Sequence, residues 1–163
     1  MAAPDRAPRR ITELRRLGMA LVGLCLVEYL LGMLLNLYVA IPRQHPGSSG
    51  PDYFQRAFQS VLWGISHGSL LALHVGLGLL ILLGSLRLAL AAFQAPKAGL
   101  RAIALLGLLA VVAAGFNGAS FLSYHQDLSS MIMAASLAVA VFCFSWVTFR
   151  ATAPAPGAPV SIA

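Results

Sequence analysis

Charged side chains are scarce in this chain. Only 10% of its 163 residues are Asp, Glu, Lys or Arg, whereas 59% are hydrophobic, and the mean hydropathy is +0.82. A soluble domain carries about 25% charged residues, so this chain has too few charges to cover its apolar surface in water. The composition excludes an ordinary soluble domain and predicts a chain that folds within a membrane.

Cysteine and catalytic motifs are also nearly absent. The two cysteines, Cys25 and Cys143, lie inside apolar runs, so both are expected to be buried hydrophobic side chains rather than a disulfide of an exposed loop. The sequence has no His-Glu-x-x-His, Cys-x-x-Cys or P-loop motif. The net charge of +6 is not arranged as a basic, aromatic-interleaved face, so no nucleic-acid partner is expected.

Four apolar runs are long enough to cross a hydrocarbon core of about 30 Å. They are predicted at about residues 17–41, 64–86, 98–121 and 128–149. Between the first two, Tyr53–Trp63 places Phe54, Phe58 and Leu62 four residues apart, which predicts an amphipathic helix on the membrane surface. The predicted fold is all-α: a four-transmembrane-helix bundle with an outer amphipathic segment. A basic cytoplasmic tail (1–16) and a disordered cytoplasmic tail (151–163) are predicted to flank it.

Basic residues are distributed unevenly between the two sides of the predicted bundle. Nine lie in the amino-terminal tail, the connection after the second run, and the end of the fourth run: Arg6, Arg9, Arg10, Arg15, Arg16, Arg87, Lys97, Arg101 and Arg150. The other side holds only Arg43 and Arg56. By the positive-inside rule the richer side is cytoplasmic. The distribution therefore predicts a multi-pass protein of the cell membrane with both termini in the cytoplasm.

Small residues recur at four-residue spacing in three of the runs. They are Gly64, Gly68, Ala72 and Gly76 in the second run, Ala110, Ala114 and Gly118 in the third, and Ala134 and Ala138 in the fourth. In lipid, helices associate through close backbone approach at such residues. The pattern predicts a tight bundle or, in part, a seam with a second copy, and the sequence leaves both open.

Polar side chains inside the runs mark the candidate site, because unpaired polar groups in hydrocarbon are costly. Glu28 and His74 fall near the middle of the first and second runs. Asn36, His67 and Asn117 lie on the order of 10 Å nearer the outside, at about 1.5 Å per helical residue. His67 and His74 are two turns apart and are predicted to share a helix face. Two polar layers are therefore expected.

These residues support three interpretations. In the first, they only form hydrogen bonds across the bundle and fix its packing. In the second, His67 and His125 at the outer ends of alternate runs hold a heme b iron from both sides, or His74 and Glu28 bind a polar head group such as that of a quinone. In the third, Glu28 and His74 relay a proton in a small transporter or channel component. His45 is expected to be a solvated loop residue. A metal site at the outer mouth formed by His45, Asp52 and His125 is a minor alternative that no ligand spacing supports.

Three stretches carry a resemblance: EYLLGMLLNLYVAIP (28–42), HPG (45–47) and GFNGASFLSY (115–124). They resemble a family of uncharacterised four-span actinobacterial membrane proteins over most of residues 17–150, which implies a topology and no established activity. The layout is also similar to one half of the heme A synthase family, in which histidines at the outer ends of the second and fourth spans hold heme. His67 and His125 fall at comparable positions. That family's glutamate before the first histidine and its outer-loop cysteine pair are missing here, and Trp63 and Gly64 stand where the glutamate would be.

Taken together, the sequence favours a structural or accessory subunit without its own catalysis. The expected partners are the lipid bilayer and a second membrane protein or a second copy of the chain. A heme- or quinone-binding redox protein and a small transporter or channel component are the alternatives.

Overall fold

The computed structural model describes residues 6–49, 51–95 and 98–152. They form five α-helices: α1 (Arg6–Tyr38), α2 (Tyr53–His67), α3 (Ser69–Phe93), α4 (Ala98–Tyr124) and α5 (Asp127–Thr152). Within these ranges there is no β-strand. The four helices α1, α3, α4 and α5 are each long and apolar enough to cross a membrane. The predicted all-α fold with four candidate spans is confirmed.

The four long helices form a closed ring. The α1 helix packs against α3 and α5, and α4 packs against the same two helices. Short connections join α3 to α4 and α4 to α5 and make these pairs antiparallel. The Glu13–Arg87 and Glu28–His74 contacts show that α1 also runs antiparallel to α3, so the ends alternate around the ring. The α2 helix lies across one end, where it packs against α3 and α4. We call that end the outer end, and we call the opposite end, where α1 begins, the basic end.

The bundle is held together on its axis by fully buried side chains, with glycines where helices approach most closely. Phe144 of α5 is 0% exposed. A Cβ built on Gly107 of α4 would lie 2.7 Å from Phe144 Cε1, and one on Gly18 of α1 would lie 3.1 Å from the Phe144 carbonyl oxygen. Many large apolar side chains face outward instead, such as Leu37 and Leu83 at 69% and 64% exposure. This distribution suits a lipid solvent, which is as apolar as leucine.

The second apolar run begins later than predicted. Gly64 to His67 belong to α2, and the chain leaves the helix at Gly68 (φ −169°, ψ 131°), which ends α2 and precedes α3. The prediction that His67 and His74 share a helix face is therefore wrong. Ser66, His67 and Ser69 surround this point, but a polar face inside one continuous helix would give the same pattern, so periodicity does not distinguish the two. Glycine is a poor helix former and is suited to a break between two helices.

The predicted ladders of small residues are used unevenly. Gly64 packs tightly, but a Cβ on Gly68 or Gly76 would meet no heavy atom within 4 Å. Ala134 and Ala138 of α5 are both exposed. The ladders therefore contribute to the bundle at some positions and leave small residues on its outer surface at others.

Ion pairs join the helices at the basic end. Glu13 of α1 binds Arg87 of α3 at 2.5 Å and Arg10 of α1 at 3.4 Å, and Arg101 of α4 donates to the Ala95 carbonyl at 3.1 Å. Residues 6–16 of the predicted basic tail belong to α1. Residues 1–5, and the predicted disordered tail from residue 153 onward, lie outside the described residues.

Candidate functional site

At the outer end, polar contacts fix α2 to α4. The Asp52 carboxylate caps α2 by accepting the Gln55 backbone N–H at 2.9 Å. The Tyr53 hydroxyl is hydrogen-bonded to Ser120. The Ser123 hydroxyl donates to Ser60 at 3.2 Å on the buried side of α2. Because these bonds involve both the first and second turns of α2, the helix is held in register on the bundle.

His45 ties the loop before α2 to the same end of the bundle. Its side chain is buried, with the residue 8% exposed, and Nε2 lies 2.9 Å from the Leu122 carbonyl oxygen. Leu122 is in the last turn of α4, where carbonyls have no N–H partner within the helix. His45 therefore caps α4, and the prediction of a solvated loop residue is wrong. Nδ1 lies 3.0 Å from the Pro46 carbonyl oxygen, so both ring nitrogens face backbone carbonyls.

An aromatic stack connects three of the outer-end residues. Trp63 of α2 lies between the imidazoles of His45 and His67, at centroid distances of 4.2 Å and 4.8 Å. The His125 ring is tilted at 6.3 Å from that of His45. Its backbone is left-handed with φ 53°, and its Nε2 lies 3.3 Å from the Ile41 carbonyl oxygen. We refer to His45, Trp63, His67 and His125 as the outer cluster.

The outer cluster does not present His67 and His125 as a simple facing pair. The ring contacts run from His67 through Trp63 and His45 to His125. His67 Nδ1 lies 3.2 Å from the Trp63 carbonyl oxygen, which leaves Nε2 as the available nitrogen, an orientation common among metal-ligating histidines. His125, in contrast, directs Nε2 at a backbone carbonyl. Across the described ranges, no three His, Cys, Asp or Glu side chains are grouped so as to hold a metal ion.

The segment from Gly64 to Gly68 has the Gly-x-Ser-x-Gly spacing of hydrolase nucleophiles. That motif works on a strained strand-to-helix turn, whereas Ser66 here lies inside α2. Its hydroxyl donates to the Trp63 carbonyl of its own helix at 2.8 Å and contacts His67 Nδ1 at 3.1 Å. The spacing thus lacks the backbone geometry that exposes a nucleophile.

Deeper in the bundle, Glu28 of α1 and His74 of α3 meet as the depth estimate predicts. His74 Nδ1 lies 3.1 Å from Glu28 Oε1, and Glu28 is 7% exposed. The distance is that of an ion pair, but the approach lacks hydrogen-bond geometry. Among the described residues, neither His74 Nδ1 nor Glu28 Oε2 has a hydrogen-bond partner. The contact brings a carboxylate and an imidazole together inside the bundle, and it leaves one carboxylate oxygen without a donor.

Two glycines make room for this buried pair. A Cβ on Gly78 of α3 would lie 3.3 Å from Glu28 Oε1, and a Cβ on Gly32 of α1 would lie 3.5 Å from His74 Cε1. Glu28 therefore lies against Gly78, which is four residues after His74 in α3. His74 lies against Gly32, which is four residues after Glu28 in α1. The arrangement is reciprocal because the two helices are antiparallel.

The second predicted polar layer is not joined by the described contacts. Asn117 donates to the Ala113 carbonyl of its own helix at 2.9 Å, His67 contacts its own helix, and Asn36 is exposed. Of the residues singled out from the sequence, the structure brings together Glu28 with His74. It places His67 and His125 in one cluster, whose two central rings, His45 and Trp63, the sequence did not indicate.

The chain matches no protein-family model, no curated protein and no solved structure. Its function is therefore inferred from the geometry of its own residues.

Proposed function

We propose that this chain is a cell-membrane protein with both termini in the cytoplasm that acts as a structural or accessory subunit without its own catalysis. The observation that supports the proposal is that two small residues are exposed on the face of α5 that points away from the bundle. Ala134 and Ala138 lie one turn apart and are both exposed. In lipid, small residues at this spacing allow another helix to approach closely.

The α5 helix has two distinct faces. Its inner face carries Ala140, Phe144 and Val147, all 0% exposed, and these pack within the bundle. Ala134 and Ala138 lie away from that face and are free for a partner helix of a second membrane protein. The contacts of the outer cluster support a non-catalytic role, since the ring nitrogens of His45 and His125 are directed at backbone carbonyls.

The partner surface is tested by enlarging a small residue. Ala138→Leu should convert a large complex, seen on native gels of gently solubilised membranes, into a smaller one. Val139→Leu is the matched control, because it changes an adjacent exposed residue of α5 that is already bulky. Equal migration of the two variants and the wild type would refute this role for the α5 surface.

The proposed orientation rests on the cations of the basic end, which include Arg10, Arg87, Arg101 and Arg150, against Arg43 and Arg56 at the outer end. Single cysteines placed in the loop before α2 and in each tail should be labelled by an impermeant maleimide from opposite sides of the membrane. The loop cysteine should react in intact cells, and both tail cysteines only after permeabilisation. Tails reached from different faces would overturn the topology.

A second candidate function has a specific observation in its favour. The unpartnered Glu28 Oε2 and His74 Nδ1 lie where a polar head group from the membrane, such as that of a quinone, would supply the missing hydrogen bonds. A short-chain quinone titrated into protein in nanodiscs should bind the wild type and not Glu28→Leu. Ser85→Ala, which removes a hydroxyl bonded within α3, is the control. Equal binding to all three would exclude this site.

The heme and transport alternatives have direct tests. A Soret band in purified protein that is lost in His67→Ala and His125→Ala would identify heme on those residues, and a colourless folded preparation would argue against it. Proton flux into liposomes that Glu28→Gln abolishes would identify transport. Flux unaffected by Glu28→Gln would remove Glu28 from any such path.

A further inference from the structure

A groove of about 390 Å³ lies between α1 and α5 at the basic end. Its lining residues are Arg15, Met19 and Val22 of α1 and Ser145, Thr148 and Phe149 of α5. None of these residues belongs to the outer cluster or to the Glu28–His74 pair. The groove is therefore separate from the candidate site.

On the α1 side, the lining changes from charged to apolar with depth in the membrane. Arg15 lies nearest the start of α1, and Val22 is seven residues further along, about 10 Å at 1.5 Å per residue. Met19, between them, is 51% exposed, and Phe149 on the facing helix is 67% exposed. Ser145 and Thr148 add hydroxyl groups along the same groove. Because α5 runs antiparallel to α1, Phe149 lies toward the Arg15 end of the groove and Ser145 toward the Val22 end. The lining therefore combines a cation, hydroxyls and apolar walls, which are the kinds of group that contact the phosphate, glycerol esters and acyl chain of a phospholipid.

Arg15 can bind an anion, because its positive charge has no carboxylate partner among the described residues. The ion pairs at the basic end use Glu13, which binds Arg87 and Arg10. Among the described residues no carboxylate pairs with Arg15. A guanidinium at the level of the head groups is attracted to anionic lipids and matches the geometry of a phosphate.

The floor of the groove is formed by a close helix contact. Gly18 lies on the same face of α1 as Arg15 and Val22, and a Cβ there would run into the Thr148 side chain and lie 3.1 Å from the Phe144 carbonyl oxygen. The Thr148 hydroxyl donates to that carbonyl at 2.9 Å. The two helix backbones are thus fixed against each other beneath the groove, which gives it a preformed shape.

We propose that this groove binds one anionic glycerophospholipid, with its phosphate on Arg15 and an acyl chain along Met19 and Val22. The proposal does not depend on a partner subunit or on the Glu28–His74 pair. It assigns the groove a lipid from the leaflet at the basic end, which carries most of the chain's cations.

Native mass spectrometry of the full chain in detergent tests the proposal, with phosphatidylglycerol and phosphatidylcholine of identical acyl chains as probes. The wild type should retain one phosphatidylglycerol in preference to phosphatidylcholine. Arg15→Gln should weaken that binding about tenfold, as expected for loss of one charge-assisted contact. Arg16→Gln is the matched control: it removes the same charge from the adjacent exposed residue, outside the groove lining, and should bind like the wild type.

Other outcomes overturn the proposal. Equal weakening by Arg15→Gln and Arg16→Gln would indicate attraction to the basic end as a whole. Displacement of the lipid by millimolar glycerol phosphate would indicate a phosphate site without an acyl-chain groove. A dimer that Arg15→Gln dissociates would indicate that a second copy occupies the groove. Circular dichroism of each variant verifies that the helices are retained.

Discussion

Replacement of His45 should release the loop before α2 from the outer end of the bundle. His45 stacks on Trp63 at 4.2 Å and donates from Nε2 to the Leu122 carbonyl at 2.9 Å. His45→Phe keeps a ring for the stack and removes the hydrogen bond, whereas His45→Ala removes both. A buried carbonyl left without a donor costs about 1–3 kcal/mol, and a lost aromatic pair costs about 0.5–1.5 kcal/mol. We therefore expect docking of the loop to weaken by about 1–3 kcal/mol in the Phe variant and by more in the Ala variant.

Limited trypsin digestion after Arg43 measures this docking directly. Arg43 is exposed and lies two residues before His45, and cleavage requires the local backbone to open. When reclosing is faster than cleavage, the rate follows the opening equilibrium. His45→Phe should then be cut about 5- to 140-fold faster than the wild type in the same detergent, since each 1.4 kcal/mol is about a factor of ten.

The control for this experiment is His67→Ala. His67 stacks on the other side of Trp63, but it is exposed and its described hydrogen bonds stay within α2. Its removal should change cleavage after Arg43 far less than either His45 variant. The capping role of His45 is refuted if His45→Phe and His45→Ala are both cut at the wild-type rate.

Three further substitutions test other contacts, each by unfolding monitored through helical circular dichroism in detergent. Gly47→Ala places a side chain at φ 106° with its Cβ 2.7 Å from the backbone carbon of Gln59, so it should destabilise by more than about 2 kcal/mol; an unchanged melting temperature would contradict this. The new Cβ of Gly107→Ala would lie 2.7 Å from Phe144 Cε1, so this substitution should cost about 1–3 kcal/mol of stability. Combining it with Phe144→Leu should restore part of that stability, and no recovery in the double variant would contradict the contact. His74→Leu leaves Glu28 buried and unpaired and should cost about 3–5 kcal/mol, whereas the double Leu variant should be much closer to the wild type. Additive losses would show that the pair does not interact.

The sequence predicts the spans and the buried polar pair well, and for a physical reason. All four spanning helices cross the same slab with the same rise per residue, so depth can be counted along each helix from its ends. Glu28 and His74 were placed at one level in this way, and they lie 3.1 Å apart. The sequence also predicts α2 as an amphipathic helix, because one face of that helix is apolar over its whole length.

The outer cluster could not be derived in the same way. The His45 ring bonds to a carbonyl 77 residues away, and no periodic pattern encodes a contact between a loop and a helix end. A local signal was present, since Pro46 restricts the residue before it to an extended backbone and Gly47 supplies the left-handed turn that follows. The break at Gly68 is not evident from periodicity, because Ser66, His67 and Ser69 around it are also compatible with a polar face inside one continuous span.

The position of the Glu28–His74 pair along the bundle determines how anything reaches it. Toward the outer end, Leu35, Leu71 and Leu122 form a separate apolar cluster beneath α2, and toward the basic end the main core begins with Cys25 and Ile81. Water arriving along the axis from either end would have to cross one of these two dry layers. The His74 side chain is nevertheless 19% exposed at the side of the bundle, which faces acyl chains. A molecule that reached the pair would therefore approach sideways through the bilayer rather than along the axis of the bundle.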